Sequence, residues 1–233
     1  MCPSLVNDPR SCYDDSEPDM DDIDILSSES TIQQWSDAVA AASATPAGGA
    51  VAALTSALAA ALVVMVAGLT TRREKYAAVH HYAQETLERA ELLRTDLVEL
   101  ARHDAIVVAE YMDALTLPQG TEFERTARDA ARRAALLEAA RVQLELLDQA
   151  AEVSALAEAM VGSGVATAIG DAATASFLAA AASRSAYWSI RGNLKLIGRP
   201  EETRVLVESA VVTLERVEAA EIRVRQLLDD RVG

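Results

Sequence analysis

Thr45, Pro46, Ala47, Gly48, Gly49 and Ala50 run together immediately before a long stretch without charge. A helix that begins there exposes unpaired backbone N–H groups and a partial positive charge at its first turn. Two adjacent glycines remove the side chains that would hold a ligand away from that backbone. A purely structural alternative is that Gly48 and Gly49 let neighbouring helices approach closely. Metal chemistry has little to work with. His80 and His81 are adjacent and so face different directions on a helix, and His103 stands apart in sequence. Cys2 and Cys12 lie near the N-terminus, which argues against a disulfide framework, a metal site or a cysteine nucleophile in the folded body. No metal is expected, and reduced thiols fit a cytoplasmic protein.

The elements that must position this turn are helical. Hydrophobic residues make up 51% of the 233 residues but aromatics only 4%, so the apolar content is mostly Ala, Leu and Val. Ala and Leu favour helix, whereas a β protein would draw on β-branched and aromatic residues. Ser30 and Gln33 have the spacing of a capping box, opening a short helix to about residue 43 with Ile32, Trp35 and Val39 on one stripe. Thr45 as cap and Pro46 in the first turn start the next helix, residues 46–70.

No charged residue occurs from Ala38 to Thr71, a run long enough to test as a membrane span. Its many alanines, with Thr55 and Ser56, make it only weakly hydrophobic, and the other segments are amphipathic and charged. A buried Ala-rich helix at the centre of a bundle is therefore expected, and no membrane. An amphipathic helix follows over residues 72–115, broken by Leu117, Pro118, Gln119 and Gly120. Further helices are predicted over 121–160, 167–196 and 201–230, with a loop at Gly162, Ser163 and Gly164. The expected fold is an all-α multihelical bundle.

Charge is uneven. Residues 1–30 carry nine acidic groups against Arg10. Such a segment, poor in apolar residues, cannot repay the entropy of ordering. Residues 1–29 are read as an acidic disordered tail and 30–233 as the folded domain. The domain is only mildly acidic and has no basic face, so no nucleic-acid partner is expected.

Several segments, taken in order, carry a resemblance to a known family. They are Thr45-Pro46-Ala47-Gly48-Gly49-Ala50-Val51-Ala52-Ala53-Leu54, Met65-Val66-Ala67-Gly68-Leu69-Thr70, and Lys75-Tyr76. His103-Asp104-Ala105, Leu117-Pro118, Gly170-Asp171-Ala172 and Ile190-Arg191-Gly192-Asn193-Leu194 continue the series. The chain resembles the formiminotetrahydrofolate cyclodeaminase and methenyltetrahydrofolate cyclohydrolase family over about residues 30–230. It departs from that pattern at Ala50, where Ser is usual, at Ser189 for Asn, at Gly192 for a large aliphatic residue, and at Arg73 for Lys.

The resemblance implies an enzyme acting on a one-carbon unit at N5 and N10 of tetrahydrofolate. Water attacks the methenyl carbon in cyclohydrolysis; N10 attacks a formimino carbon, and ammonia leaves, in cyclodeamination. The absence of a formyltransferase-like domain from this chain leans toward cyclohydrolysis. No cofactor beyond the tetrahydrofolate substrate is implied. Either reaction needs a proton shuttle, for which Asp171 and Asp104 are the candidates. The folate glutamate calls for cations, and Lys75, Arg191 and Lys195 fit. Asn193 is placed to orient a pterin or amide edge, and Thr45, Gly48, Gly49 and Ser189 complete the expected binding set. The alternatives are the same fold serving a non-folate small molecule through Ala50, Ser189 and Gly192, or a non-catalytic helical binding protein.

On one straight helix Asp171 and Asn193 would lie about 33 Å apart. They meet at one ligand only through a helix break, antiparallel neighbours or a second subunit. A homodimer with residues of both chains near each site is expected.

Overall fold

The computed structural model describes residues 29–198 and 200–232. Six α-helices carry these residues: α1 Ile32–Ala40, α2 Gly48–Thr71, α3 His80–Thr116, α4 Glu122–Ser163, α5 Ile169–Ile197 and α6 Pro200–Val232. Short 3-10 turns, Glu74–Val79 and Ala166–Ala168, join α2 to α3 and α4 to α5. Among the described residues there is no strand. The tail reading of residues 1–28, with Cys2 and Cys12, lies outside them.

Helices α2 to α5 form a ring in which each packs on the next and α5 closes back on α2, while α6 lies along α4 and α5. Alternating directions follow from the short connections. The core between them is built from Leu93, Leu97, Leu146, Leu147, Met160 and Ile190 with many alanines. Alanine contacts let the helix axes approach closely while still removing apolar area from water.

Several helix ends differ from the expected ones, each for a local reason. Thr31, rather than Ser30, caps α1, with Gln34 completing the capping box. The box spacing is met one residue later, and α1 itself buries no residue fully, Ile32 being 86% exposed. Ala47 sits at the start of α2 and offers no side-chain cap. Thr45 lies too early to serve; its hydroxyl donates instead to the Ala105 carbonyl at 3.4 Å. The expected start of the third helix at 72 is taken up by the 3-10 turn, and Gly162 and Ser163 remain helical, with Gly164 closing α4. Thr121 and Glu124 form the capping box that opens α4. Gly198, at φ 70°, ends α5 in the left-handed conformation that glycine adopts without strain.

Helix α2 is not buried all round. Ala50, Ala53, Ala57, Ala60, Val63, Ala67 and Thr70 are buried, but Val51, Leu58 and Met65 repeat every seven residues along an open stripe. Leu58 is 61% exposed. Among the described residues α2 is the one helix long and apolar enough to cross a membrane, and 56% of its most apolar window is buried in the bundle.

The far end of the ring is tied by backbone donors. Val165 N–H donates to Thr70 Oγ1 at 3.0 Å, and Ala166 N–H donates to the Tyr76 hydroxyl at 3.0 Å. Arg89 on α3 makes a bidentate pair with Glu152 on α4, and Arg223 on α6 does the same with Glu158. Glu221 on α6 takes Arg184 of α5 at 2.8 Å and also Arg225. Burial pushes its carboxyl up, but the two guanidiniums outweigh that and hold it below the usual range.

Candidate functional site

At the end of the ring where α2 begins, three helices each turn one stripe toward the α2 N-terminus. Helix α3 gives Asp104, Val108 and Tyr111; α4 gives Leu136, Ala139 and Gln143; α5 gives Ser189, Gly192, Asn193 and Leu196. Every stripe follows the three- and four-residue spacing of a helix face. With Ala47, Gly48 and Gly49 they enclose a cavity of about 510 Å³. Such a volume suits a small-molecule site lined mostly by apolar groups with a few polar ones.

Asp104 is the one carboxylate of this cavity and is only 5% exposed. Gln143 Nε2 donates to its Oδ1 at 2.5 Å, and the backbone N–H of Ala50 helps to hold the charge of the same carboxylate. Asp104 thus brings a negative charge from α3 to the start of α2, where Ala47 offers no side-chain cap. Burial raises its pKa above the ordinary carboxylate value, against the opposing pull of Gln143, Ala50 N–H and the neighbouring His103. A carboxylate so placed takes up a proton more readily than a solvated one.

The two glycines separate in role. A Cβ on Gly49 would stand 2.2 Å from Gln143 Nε2 and 2.4 Å from Asp104 Oδ1. A Cβ on Gly48 meets nothing within 4 Å and would stand in open space. Gly49 is therefore required by the carboxylate beside it, and Gly48 is not. Gly192 likewise has open space at its Cβ position.

Of the residues expected from sequence, Gly48, Gly49, Asp104, Ser189 and Asn193 line the cavity together. Thr45 lies beside it through its bond to Ala105. Arg191 and Lys195 line an adjoining open groove of about 840 Å³ between α5 and α6, which meets the cavity at Gly192. Arg191 donates to the Tyr187 hydroxyl at 2.7 Å, with its guanidinium 5.7 Å from the Tyr187 ring centre and 5.8 Å from that of Trp188.

Asp171 and Lys75 are not brought to the cavity. Asp171 is exposed in the first turn of α5, about 33 Å along the helix from Asn193. Lys75 follows the C-terminal end of α2, with its Nζ 5.9 Å from the Tyr76 ring centre. Both belong to the end of the ring where Tyr76 meets Ala166.

Sequence reasoning missed Gln143 and Tyr111. Gln143 had a signal: it interrupts the otherwise apolar α4 stripe of Leu136, Ala139, Ala140 and Leu147. Among the described residues no cluster of His, Cys, Asp and Glu has the makings of a metal site.

The fold and the cavity define an all-helical domain whose α2 N-terminus opens, among the described residues, on a cavity with one carboxylate. The family model described as formiminotransferase-cyclodeaminase matches residues 31–210. The chain belongs to that family. Among solved structures it is similar to the crystal structure of formiminotetrahydrofolate cyclodeaminase from Thermotoga maritima. The two share 25% sequence identity, with 88% of this chain and 98% of that one covered and a TM-score of 0.79. No curated protein matches it.

Proposed function

We propose that this chain is a cytoplasmic one-carbon folate enzyme, acting on the carbon held at N5 and N10 of tetrahydrofolate. The reaction is hydrolysis of methenyl- to formyl-tetrahydrofolate, or cyclodeamination of formimino-tetrahydrofolate. The observation that carries this reading is Asp104, buried at the open end of α2 with the Gln143 amide on its carboxylate. A substrate cation gains directly from such a charge in a site with little water.

In hydrolysis a water oxygen bonds to the methenyl carbon and gives one proton to Asp104. The C–N5 bond then breaks, N5 gains a proton, and the remaining hydroxyl loses its own to become the formyl oxygen. One proton is released overall. In cyclodeamination N10 attacks the carbon of the protonated, amidinium form of the formimino group. The N10 proton passes to Asp104, and the resulting amino group takes that proton and leaves as ammonia, giving the methenyl cation. Arg191 and Lys195, at the cavity's open side, meet the glutamate carboxylates. No cofactor beyond the folate, no metal, no nucleic acid and no membrane enters this scheme.

The test is direct. Purified protein is offered each folate while the methenyl chromophore is followed. Loss of the chromophore from methenyl substrate, or its appearance from formimino substrate, identifies the reaction, and neither signal overturns the reading.

The open stripe of Val51, Leu58 and Met65 supports a homodimer built on α2. The helix carries no charge from end to end, so two copies meet without like-charge repulsion. A two-fold axis across it runs the copies antiparallel. The Gly48 end of one then lies beside the far end of the other, bringing Lys75 and Asp171 of the partner subunit toward the cavity. We expect Leu58→Glu to sediment as a monomer and lose turnover. A wild-type protein that is monomeric and fully active defeats this arrangement.

A second reading, a non-folate small molecule on the same fold, is favoured by one observation. Gly192, where the family has a large aliphatic residue, borders both cavity and groove and leaves room for a side chain. Gly192→Ile is expected to fold, since a helix-interior glycine costs roughly 0.5–1 kcal/mol relative to Ala. It should raise the KM of a ligand that spans cavity and groove by about tenfold, equivalent to some 1.4 kcal/mol. A ligand confined to the cavity keeps its KM.

A further inference from the structure

The buried pair of Asp104 and Gln143 poses a hydrogen-bonding problem that the reaction scheme leaves open. An ionised carboxylate only accepts, and here it takes a hydrogen bond from Gln143 Nε2 near the Ala50 N–H. Once it takes a proton it carries an O–H, which needs an acceptor. A backbone N–H cannot become one. Gln143 can, because a primary amide carries a donor and an acceptor on one rotatable group.

Three observations favour a turn of the amide. Gln143 Oε1 is buried and has no partner. The one bond recorded for Nε2 is the one to Asp104, so turning breaks no other. Gly49 presents no Cβ where one would press on both groups. Leaving a buried acceptor unmatched normally costs about 1–3 kcal/mol, so an unpartnered oxygen beside a proton-accepting carboxylate calls for a reason.

We propose that Gln143 is the positioning residue for Asp104 in both protonation states. Its amide gives Nε2 to the ionised carboxylate and turns over to give Oε1 to the carboxyl O–H. The pair therefore stores the proton with one hydrogen bond kept in either state, and the carboxyl group stays aimed at the end of α2. No atom is exchanged beyond the proton that Asp104 takes up and returns. The inference goes beyond the folate reading but uses its base, and it holds for any substrate whose proton passes through Asp104.

The surroundings leave the titration to this pair. On α3, His103 neighbours Asp104 in the chain and Tyr111 shares the cavity. The cavity-lining residues of α4 and α5, and the start of α2, carry no titratable side chain.

The experiment uses the wild-type protein without substrate. Carbon-13 NMR of labelled aspartate, with Asp104→Asn to assign the signal, gives the Asp104 midpoint. Neutron crystal structures, which locate deuterium, are then compared more than one pH unit either side of it. The expected result is the Gln143 amide deuteriums facing Asp104 above the midpoint and Oε1 facing a deuterated carboxyl below it. The same amide face toward Asp104 in both structures overturns the proposal. Because no turnover is measured, that outcome leaves the one-carbon reading standing, and a folate assay that fails leaves this one standing.

Discussion

Gly49→Ala is expected to give a folded protein whose turnover has fallen at least about 100-fold, the usual cost of a misplaced catalytic group. Replacing glycine by alanine inside a helix ordinarily stabilises it by about 0.5–1 kcal/mol. Here the added methyl would overlap Gln143 Nε2 and both carboxylate oxygens of Asp104. Those atoms are side-chain ends, so they can yield by rotating, and the backbone is not driven apart. The stability cost is accordingly modest, about 1–3 kcal/mol as for other overpacked sites. The functional cost is large, because the atoms that yield are the carboxylate and the amide that hold the site together. Gly48→Ala, whose methyl meets nothing within 4 Å, should match or exceed wild-type stability. Thermal unfolding with the folate assay checks both variants. Full turnover in Gly49→Ala would show that Asp104 need not keep its place.

Asp104→Asn should cost about 10²–10⁴-fold in turnover, the range for loss of a general base. It should also make the protein more stable near neutral pH. The folded-state pKa of Asp104 is raised by burial, so the folded protein holds this proton more tightly than the unfolded chain. A raised pKa contributes stability that is fully present below the unfolded value and is lost as pH rises through the folded value. Asparagine removes that loss while keeping the hydrogen bond: its oxygen stays near Ala50 N–H, and its amide donates to a turned Gln143. The melting temperature of the variant minus that of wild type should therefore increase from pH 4 to pH 7. A difference that is flat with pH, or that falls, contradicts a buried titrating Asp104. In the wild type, turnover should rise with pH through an acid limb lying above the ordinary carboxylate range, since only the ionised form accepts a proton.

Much of this architecture was legible because helices announce themselves by period and punctuation. Gly164, Gly198 and the helix start at Thr121 fell at element edges, and the uncharged run marked α2. The motif around Gly49 pointed to the end of the molecule where the cavity lies. What sequence did not convey was which distant residues share that end. Asp171 and Asp104 were both candidates through the family resemblance, with Asp171 placed first. One proved buried against the α2 terminus and the other exposed at the opposite end. That difference depends on how helices of unequal length are offset when they pack, which no local pattern records. Gln143 escaped notice for a related reason. A single amide in a long helix reads as a surface residue until its neighbours across the bundle are known. The open stripe on α2 was hidden by composition, because alanine, leucine and valine occupy its covered and uncovered faces alike.

The placement of the Asp104 carboxylate beside the first turn of α2, next to Gly49 and Ala50, bears on the order in which this protein assembles. Carboxylate and turn are about fifty residues apart, so closing that loop has an entropic cost that local turns do not have. Ala47 offers no side-chain cap, so the first turn of α2 gains its neighbouring carboxylate only after α3 has docked. The Ala50 amide thereby reports whether the bundle is assembled. It should resist hydrogen exchange as strongly as the core, although it lies in a first helical turn, where amides usually exchange quickly by fraying. Formation of the binding end and completion of the fold are one event.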